Sequence, residues 1–392
     1  MNPILIIGAG LAGWTTAREF RKLDTTTPVV MITADSGDFY AKPSLSNAFA
    51  QGKGPAQLVS TPAAKMAATL NVTLQARTRV LAIDTAGRTV TTPAGRQAYS
   101  QLVLATGAQP IRVPVAGNAA QQVASVNSLD DFAAFHARLQ PAADRAANGH
   151  QHVLIMGAGL IGCEFANDLA QAGCRVSVVD PGTRPLAALL PPEASAELQA
   201  ALQALGVGFH FGTTVQAVDM EDAGLSVTLA NGQTVAATCV LSAIGLRADT
   251  ALAQAAGLTV DRAIVVNTRL QTSAAGVYAL GDSAQYASAA SLQSVHGTTL
   301  PYIMPLMTAA RALAANLAGT PAEVVFPLMP VSVKTPALPL VIATPRPGTD
   351  GQWNTSAPGL WCWLDDAGVQ RGFVLAGAQT GQRMAQSSLV VL

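Results

Sequence analysis

An α/β protein with two doubly wound nucleotide-binding modules and a small α+β C-terminal domain is predicted, on three observations. Gly8-Ala9-Gly10-Leu11-Ala12-Gly13 and Gly157-Ala158-Gly159-Leu160-Ile161-Gly162 are one glycine loop written twice, 149 residues apart. Each follows an apolar run suited to a buried parallel strand, Pro3–Ile7 and His152–Met156, and each opens a helical pattern, Leu11–Leu23 and Leu160–Ala172. Each module later ends on an apolar strand that runs into glycine, Leu104–Gly107 and Val240–Gly245.

The elements follow in order. Val29–Thr33 supplies a second strand, with Ala34 and Asp35 just past it. Residues 72–104 hold short alternating strands with turns at Thr85-Ala86-Gly87 and Pro93-Ala94-Gly95. Around Pro110–Pro114 the chain crosses to the second module, which holds strand Arg175–Val179, a helix near Glu193–Leu205 and strands to about Ile244. From about Asp249 it returns to the first module and ends a strand at Tyr278–Asp282, before a helix near Pro305–Leu317. After Gly319-Thr320-Pro321 the composition shifts to proline, β-branched and aromatic residues, including Trp353, Trp361 and Trp363. The expected division is 1–113 and 249–322 for the first module, 114–248 for the second and 323–392 for the last domain. That last domain is short for independent stability, so it should pack on the rest.

Composition narrows the function. Half of the 392 residues are hydrophobic and 12% are charged, enough for a large core. A net charge of zero argues against nucleic acid as a partner. Up to Arg112 there are 11 Lys/Arg against 5 Asp/Glu, and beyond it 12 against 18. This imbalance is either chance on solvated faces or a basic surface for an acidic partner. Without an 18-residue apolar stretch or a signal peptide, no membrane insertion and a cytoplasmic location are expected. Cys163, Cys174, Cys239 and Cys362 lack Cys-x-x-Cys spacing, so buried reduced thiols are expected and no metal site.

The loops carry the chemistry. Their glycines permit a tight turn, close approach of backbone to a pyrophosphate, and close helix–strand packing. The helix N-terminus then offers N–H groups and partial positive charge to the phosphates. An acidic residue some twenty positions on takes the ribose hydroxyls. Asp35 and Asp180 stand 22 and 18 residues beyond Gly13 and Gly162. Two such Rossmann-like modules imply two dinucleotides bound at once, hence flavin–nicotinamide electron transfer. A carboxylate at Asp180 repels the 2′-phosphate of NADPH, so NADH is expected; the alternative is that Asp180 is a surface loop residue.

Gly8–Gly13, Leu104–Gly107, Gly157–Gly162, Val240–Gly245 and Tyr278–Asp282, in this order, resemble the FAD-dependent pyridine nucleotide–disulfide oxidoreductase superfamily, whose fold is of the glutathione reductase type. Tyr40-Ala41-Lys42-Pro43-Ser44-Leu45-Ser46 resembles the signature of its ferredoxin reductase branch. Met31–Lys42, Pro110–Pro114, Leu160–Leu169 and Met329–Pro336 are similar to the bacterial rubredoxin–NAD(+) reductases, and the likeness spans nearly the whole chain. The resemblance implies FAD on Gly8, Ala9, Gly10, Leu11, Ala12, Gly13, Ala34, Asp35, Ala105, Thr106, Gly107, Gly281 and Asp282, with main-chain contacts from Val80 and Ile303. It implies NADH on Gly157, Gly159, Gly162, Asp180 and Gly245. Lys42 and Lys334 are then expected by the flavin, and Glu164 beside it as the residue that orients the hydride donor. Glu164 could instead simply complement the charge of its helix N-terminus. Pro305 suits a first helical turn, whose dipole would stabilise reduced flavin if aimed at the ring.

Hydride transfer needs alignment and no side-chain acid or base. None of His136, His150, His152, His210 and His296 sits in a recognisable triad; His296, just before Gly297, is the nearest to a flavin candidate. Disulfide reductases of the superfamily place a Cys pair by the flavin and its peroxidases a single Cys, whereas Phe39–Phe49 contains none. Electrons should therefore leave singly to an external carrier, and the resemblance implies rubredoxin, with a monooxygenase such as an alkane hydroxylase downstream. Two alternatives stay open: a ferredoxin reductase of a dioxygenase or cytochrome P450 system, and a non-catalytic NADH-sensing flavoprotein. The short C-terminal segment points to a monomer.

Overall fold

The computed structural model describes residues 1–139, 151–222, 224–287 and 299–391; His150 and His296 lie outside them. By its contacts the chain forms two compact units. One comprises Met1–Ala41, Val59–Gln109 and Leu246–Met329, and the other Lys42–Leu58, Pro110–Gly245 and Pro330–Leu392.

The first unit is built on a five-stranded sheet in the order Val277–Ala279, Gln101–Leu104, Ile4–Ile7, Val29–Ile32, Val72–Gln75. Every pairing is parallel, with Ile4 opposite both Val29 and Gln101. Strands buried on both faces must be apolar throughout, which is why Ile-Leu-Ile-Ile and Val-Val-Met-Ile serve here. The core continues into helices Leu11–Arg21 and Ile303–Leu317, through Trp14, Phe20, Ala309 and Leu313. An antiparallel meander, Ala82–Asp84, Thr89–Thr92 and Gly95–Ala98, falls between the third and fourth strands in chain order.

The second unit repeats this plan. Its parallel sheet runs Gly208–Phe211, Arg175–Asp180, His152–Met156, Cys239–Ser242. Again an antiparallel meander, Val215–Glu221, Gly224–Leu229 and Thr234–Ala237, precedes the last strand. Repeated topology, beyond the repeated loop, makes the two modules structural relatives.

The C-terminal residues form a five-stranded antiparallel sheet: Val331–Val333, Leu340–Ala343, Gln370–Ala376, Leu360–Leu364, Gln352–Ala357. Helix Arg383–Leu389 follows it, so the domain is α+β. Its inner side chains Val333, Leu340, Ile342, Trp361 and Val374 join one hydrophobic cluster with Phe165, Leu169, Leu198 and Leu202 of the second module. A sheet this short gains its stability by sharing that core rather than by closing one of its own.

The element ends move by one or two residues. Helix Leu11–Arg21 stops short of Leu23, and the helix expected near Pro305 begins at Ile303, with Pro305 in its first turn. Cys163, Cys239 and Cys362 are buried free thiols, while Cys174 is only partly buried. No helix among the described residues is long and apolar enough to cross a membrane.

Candidate functional site

In the first unit the glycine loop separates two kinds of glycine. Gly8 has φ +108°, and a Cβ there would stand 2.2 Å from the Ala105 carbonyl oxygen. At Gly13 a Cβ would meet the Gly8 carbonyl oxygen at 1.9 Å, so helix and strand close against each other. Around Gly10 nothing lies within 4 Å; the residue is exposed and caps helix Leu11–Arg21 without a side-chain hydrogen bond. A concavity that a Cβ would fill, over a helix start with no side-chain cap, fits a pyrophosphate.

Neighbouring residues complete this cradle. Ala105, Thr106 and Gly107 follow strand Gln101–Leu104, Thr106 Oγ1 donates to the Asp249 carbonyl (2.9 Å), and Asp249 N–H donates to the Gly107 carbonyl (2.9 Å). Gly281 has φ +74°, and a Cβ on it would lie 3.2 Å from the Ala12 methyl and 3.6 Å from Leu306. The loop, the Gly281-Asp282 turn and the first turn of helix Ile303–Leu317 thus converge. Buried Tyr286, its phenol pushed up by desolvation, accepts the Gly281 N–H at 2.9 Å. Ala34 and Asp35 are exposed at the end of strand Val29–Ile32, and the Asp35 carboxylate accepts from Thr33. Val80 packs partly buried on the core, and Ile303 is 41% exposed.

In the second unit the same division recurs. A Cβ at Gly162 would meet the Gly157 carbonyl oxygen at 2.0 Å, whereas Gly159 is open and exposed. Asp180 ends strand Arg175–Asp180, and its two oxygens accept from Ala158 N–H and Gly182 N–H, each at 2.7 Å. A carboxylate has about four acceptor sites, so it braces the loop and keeps capacity for ribose hydroxyls. Gly245 has φ +119° and its carbonyl accepts from Ile111 N–H. Cys163 is fully buried, donates to the Ala158 carbonyl, and its thiol is pushed up to about 12 by desolvation first, then by Asp180 and Glu164.

The same unit brings Glu164 and Lys334 together across 170 residues of sequence. Glu164 is 7% exposed. Its carboxylate accepts from Ser46 Oγ (2.6 Å), Lys334 N–H (2.9 Å) and, at 3.4 Å, Lys334 Nζ. Lys334 Nζ also donates to the Pro43 carbonyl at 3.0 Å. A buried carboxylate so satisfied avoids most of its desolvation cost. Lys42 stands apart from the pair, its ammonium donating to Asn127 Oδ1 at 3.0 Å.

Three polar residues inside the motifs quoted above were given no role of their own from sequence: Ser46, Asn167 and Asp168. Asn167 Oδ1 accepts from Ala337 N–H, and Asp168 accepts from Phe49 and Ala50 N–H. A signal was present, since Glu164, Asn167 and Asp168 stand at i, i+3 and i+4 of a helix whose other residues from Leu160 to Ala170 are apolar or small.

Set against known proteins, residues 2–311 match the model of the family "Pyridine nucleotide-disulphide oxidoreductase", and residues 323–387 match "Rubredoxin binding C-terminal domain". The chain is 45% identical to a rubredoxin-NAD(+) reductase of Alcanivorax borkumensis over 98% of this chain and 97% of that one. It is 43% identical to a rubredoxin-NAD(+) reductase of Acinetobacter baylyi over 100% and 98%. The crystal structure of a ferredoxin reductase for the CYP199A2 system from Rhodopseudomonas palustris superposes with TM-score 0.85 at 25% identity, covering 100% of this chain and 96% of that one. The chain therefore belongs to the pyridine nucleotide-disulphide oxidoreductase family, as an FAD- and NADH-dependent oxidoreductase of the rubredoxin–NAD(+) reductase branch.

Proposed function

We propose that this enzyme accepts a hydride from NADH and passes single electrons to rubredoxin, supplying a monooxygenase such as an alkane hydroxylase. The observation that carries the rubredoxin reading is the match of residues 323–387 to a rubredoxin-binding domain, joined to full-length relatives that bear the same name. FAD, when bound, supplies the chemistry that converts a two-electron donor into a source of single electrons.

The chain's own residues have defined tasks in this reading. Gly8–Gly13 cradle the FAD pyrophosphate with Ala105, Thr106, Gly107, Gly281 and Asp282 beside it, and Ala34 and Asp35 take the ribose. Val80 and Ile303 contribute main chain. Gly157, Gly159, Gly162 and Gly245 receive NADH, while Asp180 accepts from its ribose and repels a 2′-phosphate. Glu164 orients the nicotinamide, and Lys334 and Lys42 supply positive charge to the flavin side. Buried Glu164 is an acceptor already held in place by three donors, so it costs no reorganisation when a donor group arrives. Cys163, buried and held as the neutral thiol at neutral pH, takes no part in electron relay.

The test is steady-state cytochrome c reduction by the FAD-loaded enzyme and NADH, with purified rubredoxin or a ferredoxin added. Stimulation by rubredoxin is expected. Stimulation by ferredoxin alone would transfer the assignment to a ferredoxin reductase, the reading favoured by the structural likeness to that enzyme. Size-exclusion chromatography should show a monomer.

A further inference from the structure

Helix Leu160–Gln171 presents three polar side chains on one buried stripe: Glu164 at 7%, Asn167 at 1% and Asp168 at 2% exposure. None of them is satisfied within the helix. Asn167 Oδ1 accepts the Ala337 N–H at 3.0 Å, three residues after Lys334. Asp168 accepts the Phe49 N–H at 3.0 Å and the Ala50 N–H at 2.9 Å, just after Ser46. Glu164 accepts from Ser46 and from Lys334 themselves. Two segments distant in sequence are thus fastened twice each to one helix, at points about one turn apart. Phe49 adds apolar anchorage, its ring 5.3 Å from Phe132 and 5.8 Å from Phe135.

Burying a carboxylate and an amide on a helix side that could be apolar costs stability unless each is fully hydrogen-bonded. Here Asn167 and Asp168 accept from main-chain N–H groups, which cannot rotate away as a side chain can. We propose that Asn167 and Asp168 are positioning residues, which set the register of segments 42–50 and 334–337 so that Ser46 and Lys334 meet the Glu164 carboxylate. The inference rests on the proposed role of the Glu164–Lys334 pair in NADH oxidation. Asp168→Asn keeps the shape but has one acceptor for two N–H groups, and Asn167→Ala leaves the Ala337 N–H without its partner.

The experiment is anaerobic stopped-flow reduction of the FAD-loaded enzyme at saturating NADH, with hydrogen exchange of the Phe49, Ala50 and Ala337 amides measured on the same samples. Each single variant is expected to retain FAD and to lower the limiting reduction rate about tenfold, the effect of losing one hydrogen bond to a charged group or its buried partner. A residue that acts through another should add no further loss once that other is removed, so Asn167→Ala/Lys334→Met is expected to match Lys334→Met alone, and Asp168→Asn/Ser46→Ala to match Ser46→Ala alone. Full additivity, or unchanged rates in both single variants, would overturn the proposal. Were the wild-type enzyme itself not reduced by NADH, the functional reading would fall. The register claim would then be judged by exchange alone, supported by faster exchange of those amides in the variants and overturned by unchanged protection.

Discussion

Asp180 has one task that the structure shows and one that we propose, and a sequence motif does not distinguish them. As the acidic residue after the second strand it is the expected ribose acceptor, and in the folded chain it also braces the glycine loop through Ala158 and Gly182. Asp180→Asn removes the charge that opposes a 2′-phosphate while keeping one acceptor. The ratio of NADH to NADPH kcat/KM should fall about tenfold, close to 1.4 kcal/mol, in parallel initial-rate assays. Cys163 makes a prediction of a different kind. Its folded thiol sits at about 12, above the ordinary 9, so the folded state holds the proton more tightly. The stability this confers is fully present below pH 9 and lost as pH rises from 9 towards 12. Denaturant unfolding between pH 8 and 10.5 should show a downward slope that Cys163→Ala reduces, and iodoacetamide at pH 8 should label Cys163 only after unfolding.

At the scale of the element, each strand–loop–helix unit was legible because its constraints are local. An apolar run, a φ above zero at the first glycine and a helical period all lie within twenty residues. The structure separates what the motif lumps together. Gly13 and Gly162 are packing glycines, whereas Gly10 and Gly159 leave open space. Gly13→Ala forces a Cβ against a carbonyl oxygen and should cost about 2 kcal/mol in chemical denaturation. Gly10→Ala should leave that apoprotein stability within about 0.5 kcal/mol yet weaken FAD binding severalfold, read by flavin fluorescence on titration. Equal effects of the two changes on stability would contradict the division. The polar stripe Glu164–Asn167–Asp168 was half legible. Its spacing puts the three on one face, but nothing in the sequence names Phe49, Ala50 or Ala337 as the groups they hold.

For the whole molecule, the basic excess up to Arg112 and the match of residues 323–387 suggest different surfaces for the electron carrier. Arg77 and Arg79 are both exposed in the first unit. If an acidic carrier docks there, Arg77→Glu with Arg79→Glu should raise its KM severalfold at low salt, fade at high salt and spare dye reduction. A carrier KM unmoved by the double change would leave the C-terminal domain as the docking surface, and equal loss of dye and carrier turnover would refute docking at these arginines. The grouping of Pro330–Leu392 with the second dinucleotide module is likewise a property of the assembled chain, since it depends on which apolar faces match.

From its sequence alone, the chain declared two dinucleotide-binding modules, their order, and the residue types that line each cradle. These follow from short-range rules: strand pleat, helix period and the room a glycine leaves. Only the tertiary structure decided that Lys334 reaches Glu164, that Asp168 grips the main chain after Ser46, and that the last sheet completes the core of the second module. Those pairings join residues more than one hundred positions apart. They are selected by shape and by the need to satisfy buried polar groups, which the local pattern does not encode.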